Sequence, residues 1–144
     1  MTRCYIFDID GTLADITHRL HHIEKTPKDW DTFFAECESD KPIEHMIRLC
    51  STLRDSTSIV FVSGRSDQVR QETERWLARY DLYGSLYMRK AGDHKPDDLL
   101  KIELLATMRA DGWEPIMAFD DRNRVVKAWR DAGIPCAQVV DGDY

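Results

Sequence analysis

Cys4-Tyr5-Ile6-Phe7-Asp8-Ile9-Asp10-Gly11-Thr12 is the stretch whose reading decides the fold. Four apolar residues run straight into two carboxylates and a glycine. Arg3 to Ile9 is apolar and rich in β-formers, which predicts a buried strand. Acids at the end of such a strand do not serve stability, because burying unpaired charge costs several kcal/mol. In open α/β sheets, ligands bind at the carboxyl ends of the strands. Asp8 and Asp10 lie two apart, so in extended backbone they point to the same side. Gly11 then permits a sharp turn. Two acids at a strand end also fit a plain turn, and spacing alone leaves both readings open. The functional reading is a nucleophilic carboxylate, a second carboxylate for proton transfer, and a hard cation held between charged groups.

Outward from this stretch, strands and helices alternate. Asp15 to about Lys25 is predicted helical, with Ile16, Leu20 and Ile23 at helical spacing. Thr26-Pro27 starts a second helix, with Thr26 as N-cap, that buries Trp30, Phe33 and Phe34. Pro42 opens a third, to about Arg54. Thr57 to Val62 is the second strand, and its continuous apolar run suits a strand covered on both faces. Ser63-Gly64-Arg65 forms a loop, and Ser66 caps a helix to about Tyr80. Ser85 to Met88 is a short strand, Arg89 to His94 a polar loop, and Pro96 to about Ala110 a helix. Glu114 to Phe119 is a strand that closes on Asp120-Asp121. A helix from Arg122 to Ala132 and a last strand, Pro135 to Val140, complete the series.

This alternation predicts an α/β fold, a Rossmann-like parallel sheet with helices on both faces. Residues 1–144 form one domain with one sizeable core. The stretch at about 14–54 departs from the pattern. It places three helices between the first two strands, where one crossover would do, and is a candidate helical cap over the strand ends.

The net charge of −6 argues against broad electrostatic adhesion to nucleic acid. A local basic pocket for phosphate remains compatible with it. Cys4, Cys37, Cys50 and Cys136 are scattered without metal-site spacing. They read as reduced thiols of a cytoplasmic protein. No stretch approaches 18 apolar residues, so neither membrane spanning nor a secretion signal is expected.

Three strands end in polar residues that a core does not need. They are Asp8 with Asp10, Ser63 with Arg65, and Asp120 with Asp121. Lys95 or Lys101, near the start of the intervening helix, adds an amine. Clustered carboxylates select a hard cation such as Mg²⁺. Ser, Lys and Arg suit a phosphate. The implied chemistry is phosphoryl transfer or phosphate ester hydrolysis through a carboxylate nucleophile.

In order and on strand ends, these motifs resemble the haloacid dehalogenase superfamily of phosphotransferases. Phe7 to Thr12, Phe61 to Arg65 and Phe119 to Arg122 carry the likeness. A narrower one covers most of the chain. Val62 to Arg65, Met88 to Asp98 and Asp120 to Tyr144 are similar to the 3′-phosphatase domain of phage-type polynucleotide kinase-phosphatases. The sequence holds no GxxxxGK[ST], so the resemblance is to the phosphatase part without the kinase domain.

The resemblance implies a role for each matching position. Asp8 is the expected nucleophile and Asp10 the acid and then base. Mg²⁺ is expected on Asp8, Asp120 and the Asp10 carbonyl, with Asp121 assisting. Ser63 and a lysine are expected on the transferring phosphoryl group. Thr12 is expected to orient Asp10. Arg19, Arg65 and Asp97 match positions that bear on substrate in that family. Lys95-Pro96 resembles a common superfamily motif, but Lys101, 19 residues before Asp120, matches the narrower family and is the favoured motif lysine. The expected partner is a nucleotide or nucleic-acid 3′-phosphate end, with a separate kinase or ligase alongside and no oligomeric state implied.

Other readings compete. His18 and His22 lie one helical turn apart, yet no third ligand accompanies them, which disfavours a transition metal. Trp30, Phe33 and Phe34 suit core packing better than base stacking, the alternative. A 5′-nucleotidase is the main functional alternative, and turnover of 5′-mononucleotides alone would select it. A non-catalytic binding module is another, marked by end binding without turnover. Dehalogenation is disfavoured by Asp10, since a leaving alcohol is what needs a second acid.

Overall fold

The structure, a computed structural model, describes residues 1–144. Side-chain alternation along its strands separates two apolar layers. In β1 (Thr2–Phe7), Cys4 and Ile6 face one layer and Phe7 the other. β2 (Ala14–Asp15) and β3 (Lys41–Pro42) form a small antiparallel pair. In β4 (Ser58–Ser66), Val60 and Val62 join the first layer, Ile59 and Phe61 the second. β5 (Ser85–Arg89), β6 (Trp113–Asp120) and β7 (Cys136–Gln138) complete a five-stranded sheet in the order β5-β4-β1-β6-β7. Every pairing in it is parallel, with Phe7 beside both Phe61 and Phe119.

Two helices cover each face. α1 (His21–Glu24) and α2 (Trp30–Ala35) are short and lie outside this arrangement. α3 (Glu44–Arg54) brings Met46 and Cys50 to the second layer, and α4 (Arg70–Arg79) brings Trp76 and Leu77. α5 (Asp97–Ala110) and α6 (Asn123–Asp131) bring Leu105, Met108, Val125, Val126 and Trp129 to the first. The chain builds outward from β1 to β5, then returns to start β6 on the other side of β1. That reversal leaves a crevice at the carboxyl ends of β1 and β6. All four cysteines are buried and free, and burial pushes the Cys50 and Cys136 thiols up to about 12. No helix is long and apolar enough to cross a membrane.

The insertion between β1 and β4 is less helical than its apolar spacing predicts. Asp15 to Lys25 becomes β2, a 3₁₀ turn at Thr17–Arg19 and the four-residue α1. Asp15 stops a helix there, because its carboxylate accepts both the N–H and the hydroxyl of Thr17 at 2.9 and 2.6 Å. The second helix starts at Trp30, not at Pro27, since Asp29 supplies the cap by accepting the Thr32 N–H at 3.1 Å. Pro42 lies in β3 and the third helix begins at Glu44. β4 runs on through Ser63-Gly64-Arg65, with an irregular register between Ser63 and Ser66.

Candidate active site

Asp8 follows β1, Asp120 ends β6, and Asp121 comes next, so the sheet delivers three carboxylates to its crevice. An oxygen of each lies within 4.8 Å of one of every other. All three residues are buried. Lys101, one turn into α5, reaches down between two of them. Its Nζ donates to Asp8 Oδ1 at 2.7 Å and to Asp120 Oδ2 at 2.8 Å. Thr12 Oγ1 donates to Asp8 Oδ2 at 2.9 Å, and Trp129 Nε1 to Asp120 Oδ2 at 3.2 Å. Gly11 is required by this packing. Its φ of +83° is unfavourable for other residues, and a Cβ there would stand 2.2 Å from Asp121 Oδ2.

Three carboxylates face one ammonium, and the acidities show the imbalance. Burial, then the charge of Asp120, raises the Asp8 carboxyl well above the usual range against the pull of Lys101. Asp121 is pushed up to about 6, chiefly by burial. Lys101 would be lowered by burial, but Asp120 and Asp8 outweigh this and hold it charged. Asp121 Oδ2 is buried and accepts no hydrogen bond. A hard divalent cation fits these donors. It would neutralise the two surplus charges and give the orphan oxygen a partner.

Asp10 sits in a different field. Arg65 Nε and Nη2 donate to its Oδ1 at 3.0 and 2.7 Å, and Arg19 Nη2 to the same oxygen at 2.9 Å. Its Oδ2 accepts no hydrogen bond from the protein. Burial would raise this carboxyl, but Arg65 and Arg19 outweigh it and hold it below the ordinary value. Behind both guanidinium groups stands Asp40, fully enclosed.

A cleft of about 560 Å³ opens over the two acid groups. Asp8, Asp10, Lys101, Asp120 and Asp121 line its floor. Trp30, Phe33 and Phe34 form an aromatic wall, and Arg89, Lys90, Lys95 and Arg122 contribute cationic groups. Trp30 is 46% exposed and stacks on Phe34 with centroids 5.9 Å apart. It is therefore cleft surface rather than the core residue that its spacing suggests, whereas Phe33 is buried.

Comparison with known proteins places the chain. The family model for the polynucleotide kinase PNKP phosphatase domain matches residues 2–144. The chain belongs to that family. A PNKP phosphatase domain of this kind is a haloacid dehalogenase-type phosphatase. One relative, 33% identical over 144 residues, is an Autographa californica nuclear polyhedrosis virus protein named for bifunctional polynucleotide kinase/RNA ligase activity. The match covers 99% of this chain but 20% of that protein. Two structures of the Pnkp1/Rnl/Hen1 complex superpose with TM-scores of 0.84 and 0.83, at 26% and 28% identity. They cover this chain fully and 48% and 44% of theirs. A haloacid dehalogenase-like hydrolase from Streptococcus pneumoniae shares the fold at TM-score 0.66 and 15% identity, over 96% of this chain and 84% of its own.

Within this phosphatase domain the structure gives each expected site residue its neighbours. Arg19 and Arg65 turn inward. Both are fully buried, with their donors turned onto Asp10 and Asp40. Thr12 orients Asp8 rather than Asp10. Ser63 is buried beneath the cleft, where its hydroxyl accepts the Arg65 N–H at 3.1 Å. Lys95 lines the cleft, but its ammonium is held by Asp93 at 2.6 Å and by Glu103. Of the two lysines, only Lys101 touches the acids. Asp97 anchors Arg89 at 2.6 Å and Arg122 at 3.4 Å. It lies so close under Gly64 that a Cβ there would meet its Oδ1 at 2.5 Å.

Sequence reasoning missed Asp40 and the polar role of Trp129. Asp40 precedes Lys41-Pro42 and reads as a helix breaker. Trp129 sits on an apolar stripe and reads as core, which it also is. His18 and His22 share no site, since His18 Nε2 contacts Asp40 and His22 Nε2 contacts Glu36.

Proposed function

We propose that this domain removes phosphate from polynucleotide 3′ ends or nucleoside 3′-monophosphates through an aspartyl-phosphate on Asp8. The asymmetry of Asp10 carries the reading. One of its oxygens is fixed by two arginines and the other accepts no hydrogen bond, in a cleft that Asp8 also lines. That is the arrangement of a proton carrier next to a nucleophile. Thr12 and Lys101 fix the Asp8 carboxylate, and Lys101 offsets charge on the transferring group. In the first step an Asp8 oxygen bonds to phosphorus, the ester P–O bond breaks, and the leaving alkoxide takes a proton from Asp10. In the second, water attacks phosphorus, Asp10 takes its proton, and phosphate leaves Asp8 as a free carboxylate. The arginines keep Asp10 ionised in the free protein. A phosphate monoester, whose second pKa is about 6, can bring the proton to Oδ2 as a monoanion.

Asp8, Asp120 and Asp121, with the Asp10 carbonyl, would hold Mg²⁺, which supplies charge neutralisation for the phosphoryl group. The aromatic wall supports a nucleic-acid end as substrate, because base–aromatic stacking is tolerant of sequence. Of Arg89, Lys90, Lys95 and Arg122 beside it, Lys90 alone has no ion pair and suits an adjoining phosphate. A separate kinase or ligase acting on the same ends is supported by the relatives' names and by the Pnkp1/Rnl/Hen1 complex. The test is phosphate release from 3′-phosphorylated single strands, nicked duplexes, and 3′- and 5′-mononucleotides with Mg²⁺. Turnover of the 3′-phosphorylated substrates is expected. Turnover of 5′-mononucleotides alone would replace this reading with a nucleotidase.

A further inference from the structure

Asp40 belongs to the inserted stretch, between the 3₁₀ turn at Cys37–Ser39 and β3. Its side chain is fully enclosed, and its own backbone carbonyl accepts the Trp76 Nε1–H at 2.9 Å. Arg19 grips it with two donors, Nε to Oδ1 and Nη2 to Oδ2, both at 2.8 Å. Arg65 Nη2 donates to Oδ2 at 2.9 Å. The same Arg19 Nη2 and Arg65 Nη2 also donate to Asp10 Oδ1. The remaining donors are fixed as well: Arg19 Nη1 by the Phe33 carbonyl at 3.1 Å, and Arg65 Nη1 by Thr73 Oγ1 at 3.1 Å. The half-exposed His18 ring also meets Asp40, Nε2 to Oδ1 at 2.7 Å. Two carboxylates therefore face two guanidinium groups and one imidazole, and the Oδ2 of Asp10 is left without a hydrogen bond.

We infer that Asp40 is a positioning residue for the proton carrier: it aims Arg19 and Arg65 at one oxygen of Asp10 and thereby leaves the other for the leaving group. Buried charge does not serve stability well. Well-packed apolar residues often do as well or better, which favours a role in geometry for this network. Without Asp40, Arg19 keeps only the Phe33 carbonyl and Arg65 only Thr73 Oγ1 besides Asp10, and the donors that Asp40 held are released to reach both oxygens of Asp10. The free oxygen is then occupied. Arg19 also lies over the Phe33 ring, 4.3 Å from its centroid, so the network ties the aromatic wall to the catalytic acid.

This inference rests on Asp10 as proton carrier, and the test separates the two claims. Asp40→Asn and Asp10→Asn, alone and together, are assayed on a nucleoside 3′-monophosphate and on p-nitrophenyl phosphate, whose leaving group needs little protonation. Asp40→Asn should lower kcat on the nucleotide about 10- to 100-fold, a share of what an acid catalyst supplies, with KM changed less. The loss on p-nitrophenyl phosphate should be several-fold smaller. The double variant should be no slower on the nucleotide than Asp10→Asn, as expected for residues acting as one unit. Equal losses on both esters for Asp40→Asn, with a selective loss for Asp10→Asn, would overturn the Asp40 inference alone. Equal losses for Asp10→Asn would overturn the role of Asp10 itself. If circular dichroism shows Asp40→Asn unfolded, Asp40→Glu keeps the charge and shifts it by one methylene. The same selective loss then supports the inference, and unselective loss or none overturns it.

Discussion

Asp8 and Asp10 are two residues apart, yet their surroundings drive their acidities in opposite directions. Different neighbours suit different tasks. Asp8→Asn should lower turnover by at least about 10³-fold, because it removes the nucleophile. It should leave the cation-free protein as stable or more so, since that environment penalises the Asp8 charge. Steady-state assays and calorimetry in chelator check the two halves. The lysines give a second contrast. Lys101→Met strips Asp8 and Asp120 of their shared ammonium and should abolish measurable turnover, whereas Lys95→Met should keep turnover within a few-fold. The reverse pattern would move the motif lysine to Lys95. At this scale the sequence showed which strand-end acids and which helix lysine the fold brings together. It was not legible for Arg19, Arg65 and Asp40. A pattern of residue types does not say whether a guanidinium turns outward to substrate or inward to a carboxylate.

The sheet and its four covering helices could be read from strand periodicity and apolar stripes, because both layers of the core impose those patterns. The insertion could not. Its helices are short, and side-chain hydrogen bonds such as Asp15 with Thr17 override apolar spacing. Its packing matters for function, because α2 sets Trp30 at the cleft rather than in a core. Trp30→Ala should raise KM for a 3′-phosphorylated oligonucleotide about tenfold, in line with a lost base stack, and leave p-nitrophenyl phosphate nearly unaffected. Steady-state kinetics on both substrates checks this. An equal change on both would return Trp30 to a structural role.

Across the molecule, the fold gathers like charges at one crevice and leaves them short of counter-charge. Stability should therefore respond to cations and to pH together. Asp121 is raised to about 6 in the folded protein, against an ordinary value of 3.8. Between those limits the cation-free folded state binds more protons than the unfolded one, so this contribution to stability falls as pH rises. A divalent cation must displace those protons, so its benefit grows over the same window. The unfolding-temperature increase on adding Mg²⁺ should be small at pH 5 and several degrees larger at pH 7, as read by calorimetry. An increase independent of pH would contradict cation binding at Asp8, Asp120 and Asp121.

The central claim is that phosphate from a 3′ end passes through Asp8. Rapid acid quench of the protein turning over an oligonucleotide carrying a radiolabelled 3′-phosphate tests it most directly. Label should be found on the protein as an acyl phosphate, cleaved by hydroxylamine, and should be absent from Asp8→Asn. Phosphate released at full rate with no labelled protein at any quench time, or label that persists in Asp8→Asn, would contradict it.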